Sequence, residues 1–161
     1  MTDSRASIFT VAAFFVAGAS GCGVSAPEGL VPASGRVAWT DGKPLESTPG
    51  MLRFHPFDPQ NPRVEIAKTA EDQDVVARID SNGRFAAETA LVAGGKTHRF
   101  KGAPPGAYKV MVFLMPGDNG VPRVNPDYEH PVRTPLMVAI PEAGARDLDL
   151  AVDPHLNGWS P

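Results

Sequence analysis

The stretch of sequence that decides the fold is Tyr108-Lys-Val-Met-Val-Phe-Leu114, which follows the turn-forming segment Ala103-Pro-Pro-Gly106. Its most apolar face recurs at every second position, which is the period of a β-strand. That face consists of Tyr108, Val110, Val112 and Leu114. The intervening Met111 and Phe113 are apolar as well, which predicts a central strand that is partly covered on both sides.

Shorter alternating runs lie on both sides of this strand, and clusters of Gly, Pro, Asp and Asn separate them. These runs are residues 36–40, 51–54, 75–80, 84–89, 136–140 and 148–152. No stretch of the body has the period of a long helix. With residues 108–114 the pattern predicts about seven strands and an all-β sandwich that spans residues 34–153.

The segment Ser81-Asn82-Gly83 separates two of these runs and predicts a tight hairpin, because Asn-Gly tolerates the positive φ values of a primed turn. Asp80 and the three residues after it also resemble the start of a calcium loop. An EF-hand needs a bidentate Glu at its twelfth position, where this chain has Leu91. We therefore expect a turn without a bound cation.

The inward positions of the predicted strands define the expected core. Tyr108 directly follows Pro-Pro-Gly-Ala, so its ring is expected to enter the core while its hydroxyl bonds to nearby backbone. The predicted core residues are Val37, Trp39, Leu52, Phe54, Phe85, Tyr108, Val110, Val112, Leu114, Leu136, Val138, Ile140, Leu148 and Leu150.

Residues 1–21 have the anatomy of a signal peptide. The apolar run 8–17 is about half as long as a bilayer-spanning helix. The following Ala19-Ser-Gly-Cys22 resembles the lipobox of bacterial lipoproteins, although Ala19 stands where Leu is commonest. The resemblance implies cleavage before Cys22, lipidation of that residue with chains such as palmitate, and export to the cell envelope. A leader that is cut after Cys22 is the alternative.

The two ends of the predicted body lack periodicity. Residues 22–33 contain Gly, Ser, Ala and Pro and predict a flexible tether, and residues 154–161 form a C-terminal tail. The expected organisation is a signal peptide, a tether, one β-sandwich and a tail.

Composition and spacing argue against several classes of function. The net charge is −3, from 15 basic and 18 acidic residues, so no basic field favours a nucleic-acid partner. The single cysteine excludes an internal disulfide and a cysteine-rich zinc site. Gly-x-Ser-x-Gly is absent, and the four histidines have no metal-ligand spacing: His55, His98, His130 and His155. We predict no catalytic, metal or cofactor-binding residue.

The turns and strands together resemble the carboxypeptidase regulatory-like domains of bacterial surface lipoproteins. The matching segments are Gly35-Arg-Val-Ala-Trp-Thr-Asp-Gly-Lys-Pro-Leu45, Leu52-Arg-Phe-His-Pro56, Asp80-Ser-Asn-Gly-Arg-Phe85 and Pro105-Gly-Ala-Tyr-Lys-Val110. The closing segments are similar to the end of those lipoproteins: Asn125-Pro-Asp-Tyr-Glu-His-Pro131, Thr134-Pro-Leu-Met-Val-Ala-Ile140 and Asp147-Leu-Asp-Leu150. The resemblance covers about residues 34–153 and implies a transthyretin-like (prealbumin-like), seven-stranded Greek-key sandwich. It also implies a non-enzymatic role. Hydroxyisourate hydrolases share that fold, but their C-terminal Tyr-Arg-Gly-Ser signature is missing here.

The expected function is therefore a lipid-anchored cell-envelope module with a structural or interaction role. The alternative is a surface lipoprotein that binds carbohydrate or a small ligand, for which Trp39 and Trp159 could provide a stacking platform. Residues 121–134 contain three prolines and predict an extended surface loop. Within it, Tyr128 and His130 are the predicted contacts for an envelope protein or glycan, with a structural crossover between sheets as the alternative.

Overall fold

A computed structural model of the chain describes residues 24–43, 45, 49–61, 73–115 and 124–154. In this part of the chain there are eight β-strands, a short 3₁₀-helix and no α-helix, which confirms the all-β class. The strands are β1 (Ala33–Trp39), β2 (Gly50–Pro56), β3 (Asp74–Ile79), β4 (Arg84–Ala93), β5 (Lys96–Lys101), β6 (Gly106–Leu114), β7 (Met137–Ile140) and β8 (Ala145–Val152). The 3₁₀-helix spans Pro126–Glu129. None of the described helical residues form a helix that is long and apolar enough to cross a membrane.

The strands form one mixed, nearly barrel-like sheet in the order β7-β6-β2-β3-β4-β1-β8, with β5 paired to β4. All described pairs are antiparallel except β1 with β8, which run parallel and are the first and last of the described strands. The first half of β4 borders β1, where Ser34 pairs with Ala86. Its second half borders β5, where Glu88 pairs with Lys101. β4 therefore pairs with β3 along one edge, and with β1 and then β5 along its other edge.

The strand count exceeds the predicted seven because β5 is also a strand. Its sequence, Lys-Thr-His-Arg-Phe-Lys, has little apolar alternation, since it pairs only with β4 and is largely exposed. The hairpin that joins it to β4 turns at Gly94 and Gly95, which both have positive φ. A polar edge strand of this kind gives almost no periodic signal.

The predicted core is confirmed. Ten of its 14 residues are buried, and Trp39, Leu136, Val138 and Leu148 are partly buried against them. Phe54 lies at the centre, with its ring centroid 6.1 Å from those of Phe85 and Tyr108. The core also takes in ten residues beyond the prediction: Ala33, Leu45, Val75, Ala77, Ile79, Ala87, Ala103, Val124, Tyr128 and Val152.

β6 is the central strand that its sequence predicts, because it lies between β2 and β7 and is covered on both faces. Tyr108 donates its hydroxyl hydrogen to the carbonyl of Pro104 at 2.7 Å, as expected from the preceding turn. On the opposite face Met111 and Lys109 are buried. The Lys109 Nζ donates to the carbonyl of Val132 at 3.1 Å.

The hairpin between β3 and β4 is confirmed, with a different turn geometry. The Gly83 N–H donates to the Asp80 carbonyl at 3.0 Å, which places Ser81 and Asn82 at the centre of the turn. Gly83 follows with φ of +73°. This is the geometry of a three-residue loop with a bulge rather than a two-residue primed turn. Asp80 Oδ1 accepts the N–H groups of Asn82 and Arg84, both at 2.8 Å.

Residues 124–134 differ from the predicted extended loop. Asn125 caps the 3₁₀-helix by accepting the Asp127 N–H at 3.0 Å, and Pro126 occupies the first turn, where a missing N–H costs nothing. Thr134 then donates its hydroxyl to the Val110 carbonyl at 2.7 Å. The extended-loop prediction is wrong for this part of the segment because the chain finds hydrogen-bond partners on itself and on β6.

Candidate anion-binding face

Five cationic side chains project from the solvent side of β1, β3, β4 and β5, and Arg146 of β8 lies beside them. We call this surface the arginine face. It consists of Arg36, Arg78, Arg84, Arg99, Lys101 and Arg146, and all six residues are exposed. Such a concentration is notable in a chain whose net charge is −3.

Strand register brings these side chains together. Arg36 pairs with Arg84 across β1 and β4, and Arg78 pairs with Ala86 across β3 and β4. The alternate residues of the same strands, such as Val37 and Phe85, are buried in the core. Because a slip of one residue would turn the apolar side chains outward, burial of the core fixes the cations on the solvent side.

Short side chains form the floor of the arginine face. One cleft of about 360 Å³ is lined by three arginines, two carboxylates and Ser34, among others: Arg36, Arg84, Arg146, Asp147 and Asp149. A neighbouring cleft of about 550 Å³ shares Ser34 and Arg146 and reaches Ala86, Glu88 and Lys101. Because the two clefts share lining residues, they are parts of one shallow groove. Its floor includes the short side chains of Ser34 and Ala86, which pair across β1 and β4.

Carboxylates compensate only part of this charge. Arg36 Nε lies 2.7 Å from Asp149 Oδ1, and Arg99 lies 3.6 Å from Glu88. Among the described residues, no carboxylate lies at ion-pairing distance from the other four cations: Arg78, Arg84, Lys101 and Arg146. The two pairs are well exposed, so each contributes at most about 1 kcal/mol and is open to competition by another anion.

The Arg36–Arg84 pair shows that this arrangement is not favourable for the sheet itself. Like charges directly opposite each other across two strands are destabilising. Asp149 offsets part of the repulsion from the Arg36 side. An anion that contacts the arginine face would reduce the remaining repulsion between the two guanidinium groups. The electrostatics of this surface therefore favour an anionic partner.

The N-terminal segment runs along the rim of the arginine face. Val31 forms a two-way backbone pair with Ala103, at 2.9 and 3.0 Å, so the folded body begins before Ala33. Pro27 lines one cleft with Val76 and Arg99. The predicted tether of residues 22–33 is therefore shorter than expected, because its last residues belong to the body.

The structure places Tyr128 inside the molecule, with 3% of its surface exposed. Its hydroxyl donates to Asp153 Oδ2 at 3.0 Å and accepts the Asp153 N–H at 3.2 Å. Burial raises the pKa of this hydroxyl, and the Asp153 carboxylate adds to the effect. The prediction of Tyr128 as a partner contact is wrong, because a partner cannot reach a ring that belongs to the core.

The remaining predicted site residues are not brought together. His130 is exposed, and its Nδ1 accepts the Val132 N–H at 3.2 Å. Trp39 is partly buried against the core. Cys22, His155 and Trp159 lie outside the described residues. Within those residues, no group of three His, Cys, Asp or Glu side chains is arranged to hold a metal ion.

Comparisons with protein-family models, curated proteins and solved structures found no match.

Sequence reasoning missed the arginine face, although part of its signal was present. Arg36, Arg78 and Arg84 stand at polar positions of predicted strands, which places each of them outward. Their adjacency depends on which strands pair and in which register, and alternation does not specify either. Arg99 and Lys101 belong to β5, the strand that the pattern did not indicate.

Proposed function

We propose that this protein is a lipid-anchored cell-envelope module with a non-enzymatic interaction role, and that the arginine face is its interaction surface. The observation that carries the interaction role is a set of four cations, on one side of the sheet, that have no described carboxylate at ion-pairing distance. The anchor rests on the sequence of residues 1–22, which lies outside the described part of the chain.

The finer fold assignment is part of the same proposal. An all-β body, a β3–β4 hairpin at Gly83 and the pairing of the first strand with the last support a transthyretin-like Greek-key sandwich. The resemblance of residues 34–153 to carboxypeptidase regulatory-like domains supports it independently. Since such domains bind, stabilise or space other parts of a protein, the assignment favours a role without catalysis.

The anchor is tested by growing an expressing bacterial strain with an alkyne analogue of palmitate and detecting the label on the purified protein. We expect the label on wild type and its loss in Cys22→Ala. Ser20→Ala is the matched control, because it keeps a small residue before Cys22 and is expected to retain the label. Wild-type protein without label would refute the lipid anchor.

A second candidate is binding of an acidic carbohydrate. The cleft of about 360 Å³ favours it, because three arginines line it together with Ser34 and only two carboxylates: Arg36, Arg84 and Arg146 against Asp147 and Asp149. Charge-assisted hydrogen bonds from such arginines suit a sugar carboxylate. Titration of the protein with uronic acids, followed by calorimetry, tests this candidate. Saturable binding that Arg84→Gln abolishes would support it, and no measurable heat would exclude it for these sugars.

A further inference from the structure

The geometry points to a bilayer surface rich in anionic phospholipid as the partner of the arginine face. This inference rests on the proposed lipid anchor at Cys22 and specifies how the folded body sits on the membrane that holds it. The arginine face would lie against the headgroups, with the buried core of the sheet behind it.

The path of the N-terminal segment is the first support. Pro27 lines a cleft with Arg99, and Val31 is fixed to Ala103. Pro27 comes five positions after Cys22, and an extended chain of five residue steps spans at most about 18 Å. An anchor at Cys22 therefore holds the rim of the arginine face within about 18 Å of the membrane surface.

Charge is the second support. The cations Arg78, Arg84, Lys101 and Arg146 have no described carboxylate at ion-pairing distance, and the exposed Arg36–Asp149 pair can exchange with a phosphate. An anionic leaflet attracts cations within a Debye length of about 10 Å. Because the chain carries net negative charge, an anionic membrane would attract it through this face rather than through its surface as a whole.

An exposed apolar tip beside the cations is the third support. Val92 of the β4–β5 hairpin is 78% exposed and lines the same cleft as Pro27 and Arg99. Apolar side chains next to cationic ones are typical of surfaces that lie in a membrane interface. A single lipid chain binds reversibly, and a basic surface near it strengthens the attachment.

The test uses residues 23–161 without Cys22, so that its result does not depend on lipidation. This chain contains every described residue and the whole core, and cooperative urea unfolding is verified first for each variant. Its binding is measured by co-sedimentation with vesicles of phosphatidylcholine alone or mixed with phosphatidylglycerol. We expect binding only to the mixed vesicles, and we expect it to weaken as salt is raised.

The informative variant is Arg78→Gln with Arg84→Gln, and the control is Lys43→Gln with Arg133→Gln. Both pairs remove two charges, and the control residues are exposed cations of other segments. Each cation near an anionic surface contributes about a fivefold change in partition, so the first variant should bind about thirtyfold more weakly. The control should bind within about twofold of the unmodified chain.

Three outcomes would overturn the inference. They are equal binding to both kinds of vesicle, equal losses in the two variants, or no binding to mixed vesicles. Displacement of the protein from vesicles by a low concentration of polygalacturonate would reassign the arginine face to an acidic polysaccharide. None of these outcomes affects the palmitate-labelling test, so failure of the membrane contact and failure of the anchor are distinguishable.

Discussion

Gly83 is the residue of the β3–β4 hairpin whose backbone adopts a left-handed conformation. Its φ is +73°, and a Cβ there would lie 2.5 Å from the carbonyl oxygen of Val37. The Val37 N–H donates to the Gly83 carbonyl at 2.7 Å, so β1 approaches the turn closely. The position therefore requires glycine for two separate reasons, its dihedral angle and the space it leaves.

Gly83→Ala should lower the free energy of unfolding by about 2–4 kcal/mol, because positive φ costs about 1–2 kcal/mol and the clash adds to that. Gly42→Ala is the matched control. Gly42 has φ of +81° with nothing within 4 Å of its virtual Cβ, so only the dihedral cost remains. Urea unfolding of both variants measures the difference. Equal losses would mean that the contact with β1 relaxes without cost.

Both tyrosines of the chain are buried, and their ionisation at high pH should lower the stability of the fold. Burial raises the pKa of Tyr108 above its usual value, and it does the same for Tyr128. A raised pKa means that the folded state holds the proton more tightly than the unfolded state. The resulting stabilisation is complete below the usual tyrosine pKa of about 10 and is lost as the pH rises through the folded value.

The free energy of unfolding should therefore fall above about pH 10, and less steeply in Tyr108→Phe. At neutral pH this variant should lose about 1 kcal/mol, because the Pro104 carbonyl loses its donor. Urea unfolding across a pH series measures both effects, and near-ultraviolet absorbance reports tyrosinate formation. Since lysines also titrate there, the relevant quantity is the difference between wild type and variant. Parallel pH profiles would contradict the assignment.

β6 shows how packing is organised among the strands. It borders β2 along seven paired positions and β7 along four, and its inward residues include Val110 and Val112, both fully buried. An exposed valine on β4, Val92, lies at the other extreme with 78% exposure. The same residue type therefore occupies contrasting positions in two strands.

Val112→Ala should cost about 1–3 kcal/mol, because it removes two methyl groups from a packed interior. Val92→Ala, with the same chemical change on an exposed site, should stay within about 0.5 kcal/mol. Thermal or urea unfolding compares the two directly. A loss within error for Val112→Ala would place that side chain outside the core.

The elements also show which properties the sequence could predict. Alternation located β6, β3 and β4 and half of the buried core residues, because the burial of one face of a strand produces a period-two pattern in its sequence. The Tyr108 hydroxyl bond followed from the turn before it. The burial of Tyr128 could not be predicted in this way, because its partner Asp153 lies 25 residues away and no local sequence pattern indicates that contact. The arginine face was missed for the same reason.

At the scale of the whole molecule, the parallel pair β1–β8 brings together the first and last described strands, and β8 forms one edge of the sheet. Gly35 pairs with Leu148 just after a register shift, and a Cβ at position 35 would lie 2.0 Å from the Leu148 carbonyl oxygen. The strands pack closely because glycine leaves that space. Val37 and Leu150, two buried core residues, pair two positions further along.

Gly35→Ala should therefore destabilise the entire sheet, by about 2–4 kcal/mol, since the clash involves backbone that cannot rotate away. Ser34→Ala is the neighbouring control. It loses only the hydroxyl bond to the Arg146 carbonyl, which contributes about 1 kcal/mol. Urea unfolding is followed both by far-ultraviolet circular dichroism and by tryptophan fluorescence, in a Trp159→Phe background so that Trp39 of β1 reports alone. If the sheet unfolds cooperatively, the two probes will coincide in every variant. A fluorescence transition that precedes the loss of circular dichroism in Gly35→Ala would mean that β1 and β8 separate while the other strands stay folded.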